Sequence, residues 1–209
     1  MGEYRCVSVS SINKKKYKVV LEGTQTVVMS LYPSEIRRYG LKEGSVLSCS
    51  HFEDIMDILY KRGKERALYY LKDADKTTYQ MKSKLKEGYY PEDIIERIIE
   101  FLHKYGYVDD VRYVENYISY NRKRKSIQRM KEDLMNKGIH REVMNSVFEE
   151  YSYENAQDEE SLLEDYCRKK ITSEMDERAQ QKLMMSLMRK GFKYDQIKSV
   201  VRKVLEELV

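Results

Sequence analysis

A chain of 209 residues that is 41% apolar and 35% charged, with a mean hydropathy of -0.74, is long enough for one or two domains. Its 39 basic and 35 acidic residues leave a net charge of +4 and no basic tail, so a nucleic-acid footprint has to come from local clustering. Three scattered cysteines (Cys6, Cys49 and Cys167) without a CxxC, and only three histidines, argue against a disulfide framework and against a structural zinc site. The start, MGEYRCVSVS, lacks a basic-then-apolar signal pattern, and no apolar run reaches the length of a membrane span, so a cytoplasmic protein is expected.

The first segment is rich in β-branched and aromatic residues. Tyr4–Val9, Tyr17–Leu21, Thr26–Leu31 and Ser45–His51 read as short strands separated by Asn13–Lys16, Gly23 and Gly44. Lys14-Lys15-Lys16 reads as a hairpin turn rather than a site. Between the last two strands, Pro33 opens a short helix that Gly40 ends.

From about Phe52 the apolar period becomes helical. Ile55, Leu59, Ala67, Leu68 and Leu71 give one helix or a pair. An apolar column then recurs three times: Met81, Leu85, Ile94, Ile98, Leu102; Met130, Leu134, Val143, Val147, Tyr151; and Leu183, Leu187, Ile197, Val201, Leu205. Each copy is a helix, a turn and a helix, and such a unit buries its apolar face only by stacking or by packing on a third helix. The third helix precedes each pair, at Arg62–Leu71, Asp109–Arg122 and Glu159–Lys170. Thr77 to Gln80 forms a capping box; Ser126 holds the same slot in the second copy, and Ser173 or Asp176 serves the third, where Ala179 cannot cap. Gly138 and Gly191 fall where a left-handed C-terminal residue is wanted, and Tyr89 holds that place in the first copy. Ser152–Asp158 reads as a polar connector. Met130, Met135, Met144, Met184, Met185 and Met188 fall mostly on core-facing spacing and read as gap-fillers.

The expected architecture is mainly α: three tandem three-helix repeats in an elongated curved stack, preceded by a small β-rich N-terminal module. The boundaries are 1–55 for the module and 56–108, 109–155 and 156–209 for the repeats.

The densest cationic run is Arg122-Lys123-Arg124-Lys125, with Arg129 and Lys131, across the end of one helix and the start of the next. Four consecutive cations repel one another, which favours a contact surface for phosphates or an acidic protein rim over a solvated face. Tyr117 and Tyr120 lie just upstream, placed to stack on bases. Lys137 and Arg141 flank the second-repeat turn, while Arg168-Lys169-Lys170 and Arg189-Lys190 occupy matching places in the third repeat. Equivalent positions of a repeat share one side of a stack, so these read either as a basic stripe or as solubilising charge. No Gly-rich phosphate loop, HExxH or GxSxG is present, so no catalytic residue, metal ligand or cofactor is expected.

Gly106–Tyr113 and Leu134–Ile139 carry two local signatures, and these resemble the RecX family, regulators of the RecA recombinase. Gly106-Tyr107-Val108-Asp109-Asp110-Val111-Arg112-Tyr113 is similar to that family's junction between first and second repeats, and Leu134-Met135-Asn136-Lys137-Gly138-Ile139 to a motif of its second repeat. Weaker matches are Ala67–Leu71 leading to Thr77, and Leu187–Phe192; Ser126 stands where the family often carries glycine. Physically, Gly106 suits a left-handed helix end, Tyr107 packs back on the repeat, and Asp109 or Asp110 caps the next helix. The resemblance covers about residues 61–209 and leaves out the β-rich segment. It implies a regulator that binds the RecA–DNA filament and restrains recombination and ATP hydrolysis in DNA repair. Its implied partners are the RecA filament and single- and double-stranded DNA, met directly or through RecA, with the protein acting as a monomer and not at a membrane. The competing readings are a helical DNA-binding module independent of RecA, and a scaffold that uses the β-rich segment.

Overall fold

The structure is a computed structural model, and it describes residues 3–154, 156–172 and 174–208, without the side chains of residues 152–157. It divides into two compact units, residues 1–109 and 110–209.

The first unit opens with a four-stranded antiparallel sheet in the order β3-β2-β1-β4, built from β1 (Tyr4–Asn13), β2 (Lys16–Glu22), β3 (Thr26–Leu31) and β4 (Val46–Leu47). Asn13 pairs with Lys16, so Lys14 and Lys15 form the expected tight hairpin turn. Alternation places Val19 and Leu21 inward, and neither is exposed. The short helix α1 (Pro33–Arg38) follows β3 with proline at its first position, and Gly40 sits at φ +61 just after it.

The expected strand Ser45–His51 survives only at Val46–Leu47. The Ser48 hydroxyl instead accepts from the His51 amide at 3.3 Å and starts helix α2 (Cys49–Leu71). This 23-residue helix is continuous, so the boundary expected at residue 55 falls inside it, and the expected helix Arg62–Leu71 is its second half. Ile55, Leu59, Gly63 and Ala67 form its buried stripe. A Cβ on Gly63 would lie 2.3 Å from Ile98 Cδ1, so glycine is what allows α2 to approach the repeat this closely. The sheet and the first repeat share a single core that runs from Cys6 to Val108. The module is therefore one half of a domain whose other half is the first repeat.

Helices α3 (Thr78–Glu87) and α4 (Glu92–Lys104) complete that repeat, with the whole column Met81, Leu85, Ile94, Ile98 and Leu102 at 0% exposure. The capping box is present in both directions: the Gln80 amide donates to Thr77 Oγ1 at 3.1 Å, and the Thr77 amide donates to Gln80 Oε1 at 3.2 Å. Tyr89 is left-handed at φ +56, as the spacing requires. Its carbonyl accepts the Ser30 amide at 3.1 Å, and the Ser30 hydroxyl donates to the Gly88 carbonyl at 2.8 Å, which ties strand β3 to the α3–α4 turn.

The second unit contains α5 (Asp110–Asn121), α6 (Ile127–Asn136), α7 (Arg141–Glu154), α8 (Ala156–Arg168), α9 (Glu177–Arg189) and α10 (Tyr194–Glu206). It has two apolar clusters, one per repeat. In the second repeat Met130, Leu134 and Val147 are buried, Val143 and Tyr151 pack at the margin, and Phe148 is buried beside the expected column. In the third, Leu187, Ile197 and Val201 are buried and Leu183 and Leu205 are marginal, while Val200 and Val204 fill the α10 face more deeply than Leu205. The expected connector Ser152–Asp158 is mostly helical, because α7 and α8 extend into it from either side; acidic Asp158 and Glu159 suit the first turn of α8. Asp176 caps α9, its Oδ1 accepting the Ala179 amide at 2.7 Å, whereas Ser173 lies outside the described residues.

The methionines depart from expectation. Met130 and Met144 are core, but Met135, Met185 and Met188 are 42%, 64% and 48% exposed, respectively, because they sit off the apolar stripe at the outer face of α6 and α9.

Candidate functional site

Gly106 is left-handed at φ +66, as its place after α4 requires, and α5 begins at Asp110. Tyr107 is 47% exposed, with its ring 6.0 Å from that of Phe101; Val108 is the junction residue that enters the core. Gly138 and Gly191 are left-handed at φ +77 and +91.

Within the second unit, the start of α6 and the α9–α10 turn are hydrogen-bonded together. Ser126 does two things. Its hydroxyl accepts the Arg129 amide at 3.2 Å as the cap of α6, and it donates to the Lys190 carbonyl at 2.6 Å. The Tyr166 hydroxyl donates to the Arg124 carbonyl at 3.0 Å, and Glu159 Oε1 accepts the Ile127 amide at 2.9 Å. A Cβ on Gly191 would stand 2.6 Å from Ser126 Oγ, so this contact also requires glycine.

The junction carries the charge. A depression of about 210 Å³ is walled by Arg124, Lys125, Arg129, Arg189 and Lys190, with Tyr166 and Phe192 also lining it. Sequence spacing therefore flagged cations of two repeats that the fold gathers at one place. Their availability differs. Lys125 Nζ is held by Asp133 Oδ2 at 2.7 Å and by the Tyr117 hydroxyl at 2.9 Å, and Arg129 pairs with Glu132 at 3.3 Å and Asp133 at 3.5 Å. The hydrogen bond from Lys125 holds the Asp133 carboxyl below its ordinary range, and the same bond raises Lys125. Among the described residues Arg124, Arg189 and Lys190 have no carboxylate partner; Arg124 lies 5.3 Å over the Tyr120 ring, and Lys190 lies 4.9 Å over Tyr166.

The other candidates lie elsewhere on the unit. Arg122 pairs with Asp158 at 3.3 Å, and Arg168 pairs with Glu207 at 2.6 Å, so both serve within the fold. Lys131 lies 5.1 Å from the Phe148 ring centroid. Lys123, Arg141, Lys169 and Lys170 are exposed and Lys137 half-buried, outside the depression. Tyr117 is not open to stack on a base: its ring packs on the second-repeat core and its hydroxyl donates to Asp133 at 2.8 Å. Tyr120 is 72% exposed. Sequence reasoning missed Tyr166 and Phe192 as members of the site, because only folding brings the α8 and α10 ends beside Ser126. Among the described residues no His, Cys, Asp and Glu group is placed to hold a metal ion, and no helix is long and apolar enough to cross a membrane.

The fold defines a mostly helical protein of three-helix units with a small N-terminal sheet, and its comparisons agree. The family model described as "RecX, first three-helix domain" matches residues 64–102, and "RecX, third three-helix domain" matches residues 149–201. The regulatory protein RecX of Clostridium acetobutylicum is 30% identical over 99% of both chains. That of Clostridioides difficile is 30% identical over 85% of this chain and 84% of its own. A crystal structure of regulatory protein RecX shares 20% identity at a TM-score of 0.62, covering 94% of this chain and 98% of that one. A crystal structure of RecX from Lactobacillus salivarius shares 24% identity at a TM-score of 0.64, covering 73% and 99%. The chain belongs to the RecX family of regulatory proteins.

Proposed function

We propose that this chain regulates the RecA–DNA filament, restraining recombination and ATP hydrolysis, and that the basic junction of the second and third repeats is its contact surface. The observation that carries the reading is the convergence of Arg124, Arg189 and Lys190 on one depression without carboxylate partners among the described residues. Cations that the fold leaves unneutralised hold most of their field for a partner, whereas Arg122 and Arg168 already spend theirs on Asp158 and Glu207. A filament offers both an acidic protein rim and DNA phosphates, and membership of a family of regulatory proteins supports that partner. The protein acts as a cytoplasmic monomer in this reading, and its role is not catalytic. Restraint needs only that the chain bind one filament state more tightly than another.

Co-sedimentation with RecA filaments on single-stranded DNA tests the contact. The chain is expected to pellet with the filament, and Arg124→Ala/Arg189→Ala/Lys190→Ala to bind at least tenfold more weakly. Equal binding of the variant removes the junction from the reading. Equally tight binding to bare DNA without RecA, weakened by the same three substitutions, favours a DNA-binding module that acts independently.

A further inference from the structure

The first unit holds a second concentration of positive charge. Where the β1–β2 hairpin meets α2 and α3 there is a depression of about 250 Å³, and Lys16, Arg66, Lys84, Tyr70 and Tyr89 line it with, among the described residues, a single carboxylate, Glu87. That carboxylate is already held by Lys84 Nζ at 2.8 Å, on the exposed face of α3. Among the described residues neither Lys16 nor Arg66 has a carboxylate partner. Arg66 Nε donates to the Tyr70 hydroxyl at 3.0 Å, which leaves the rest of its guanidinium fork open. Lys16 is pulled below the usual lysine range by burial and by the nearby charges of Arg62 and Arg66, with Glu35 acting weakly in the opposite sense. Arg62 is neutralised by Glu35. Glu35 and Glu87 are thus already engaged by Arg62 and Lys84, and the depression keeps an excess of positive charge.

We propose that this depression is a phosphoryl-group site, occupied by the backbone of a single-stranded nucleic acid. A phosphoryl group brings several acceptor oxygens, which match two cations converging from the hairpin and from α2. The surroundings favour a strand as the source. Lys14 and Lys15 at the turn and Lys18, 5.3 Å over the Tyr89 ring, extend the basic track beyond the depression, and Tyr69 presents a ring that is 55% exposed beside Arg66. Rings interleaved with cations are how unstacked bases and their phosphates are held together. The lysine run that reads as a turn is a turn, and it also carries one wall of the site. This inference needs no RecA and concerns the unit that lacks the repeat junction.

The test uses the full chain carrying Arg124→Ala/Arg189→Ala/Lys190→Ala, so that the junction does not contribute. A short fluorescein-labelled oligothymidylate is titrated at several salt concentrations before and after adding Lys16→Ala/Arg66→Ala, with thermal melts to confirm folding. The two added substitutions are expected to weaken binding at least tenfold and to flatten the salt slope by roughly 1.4, the value for two lost single-strand phosphate contacts. Unchanged affinity and slope would overturn the site. Arg66→Lys, which keeps the charge but not the fork, is expected to bind between the parent and Arg66→Ala; binding no better than that of Arg66→Ala would overturn the electrostatic account. Inorganic pyrophosphate, followed by NMR shifts of the same residues, distinguishes the source. Competition with the oligonucleotide supports the proposal, whereas pyrophosphate binding without any oligonucleotide binding overturns the nucleic-acid source.

Discussion

At several single residues one atom decides whether the local packing is possible. Gly191 combines φ +91 with a Cβ position 2.6 Å from Ser126 Oγ, so Gly191→Ala meets both backbone strain and a clash with the α6 cap. A cost of about 1–3 kcal/mol is expected from strain of this kind, read by urea unfolding of the second unit; a change below about 0.5 kcal/mol would mean the turn relaxes freely. Cys167 supplies a pH prediction. Burial pushes its thiol up to about 11, against 9.0 for the ordinary group. The thiol therefore ionises first in the unfolded chain. Its contribution to stability is whole below pH 9, declines as the pH rises from there, and levels off above about 11. Alkylation of the native protein with iodoacetamide at mildly alkaline pH should accordingly spare buried Cys6 and Cys167 and proceed at half-exposed Cys49; rapid loss of the Cys167 thiol from folded protein would contradict this. Residues with a local role were legible in sequence. The hydroxyls of Thr77 and Ser126, and the left-handed places at Tyr89, Gly106, Gly138 and Gly191, follow from spacing to the next apolar position. The double role of Ser126 was not, because its second partner, the Lys190 carbonyl, is 64 residues away.

At the scale of elements, periodicity did most of the specifying. Leu134 is 0% exposed among Val114, Ile118 and Phe148, so Leu134→Ala should cost roughly 2–5 kcal/mol in denaturant melts; a loss well below 1 kcal/mol would remove Leu134 from the core. The first-repeat column is the cleanest of the three because α3 and α4 pack against α2 and share one apolar core with the sheet. In the third repeat the face of α10 is wider than the four-residue steps suggested, and Val200 and Val204 share it with Ile197 and Val201. Ser45–His51 failed as a strand because β-branched content competed with a capping serine, and the cap with the long apolar stripe behind it prevailed. The exposed methionines show the limit of reading residue type: Met135 and Met188 directly follow the buried Leu134 and Leu187, and one step along the helix places them outside.

At the scale of the whole molecule, what sequence could not show was which elements share a core. A change of composition near residue 55 suggested a separable module, but Cys6, Leu21, Met29, Leu47, Ile55, Ile94 and Ile98 belong to one cluster. A fragment spanning 1–109 should therefore unfold as one cooperative transition, whereas a fragment spanning 56–209 should show helical signal and cooperativity from the second unit alone. A 56–209 fragment that keeps the first repeat folded, by amide exchange at Ile94 to Leu102, would contradict the shared core. The same limit applied to function. Clustered cations were visible as runs along the chain, but only the fold separates those already paired, such as Arg122 and Lys125, from those left open, such as Arg124 and Lys190.

The open cations of the repeat junction are proposed to act on a RecA filament. RecA-dependent ATP hydrolysis on single-stranded DNA, titrated with the chain and with Arg124→Ala/Arg189→Ala/Lys190→Ala, tests it most directly. Hydrolysis is expected to fall at substoichiometric amounts of the chain, and the folded variant to need at least tenfold more protein for the same effect. Hydrolysis that is unaffected by the chain, or that falls equally with the variant, would contradict it.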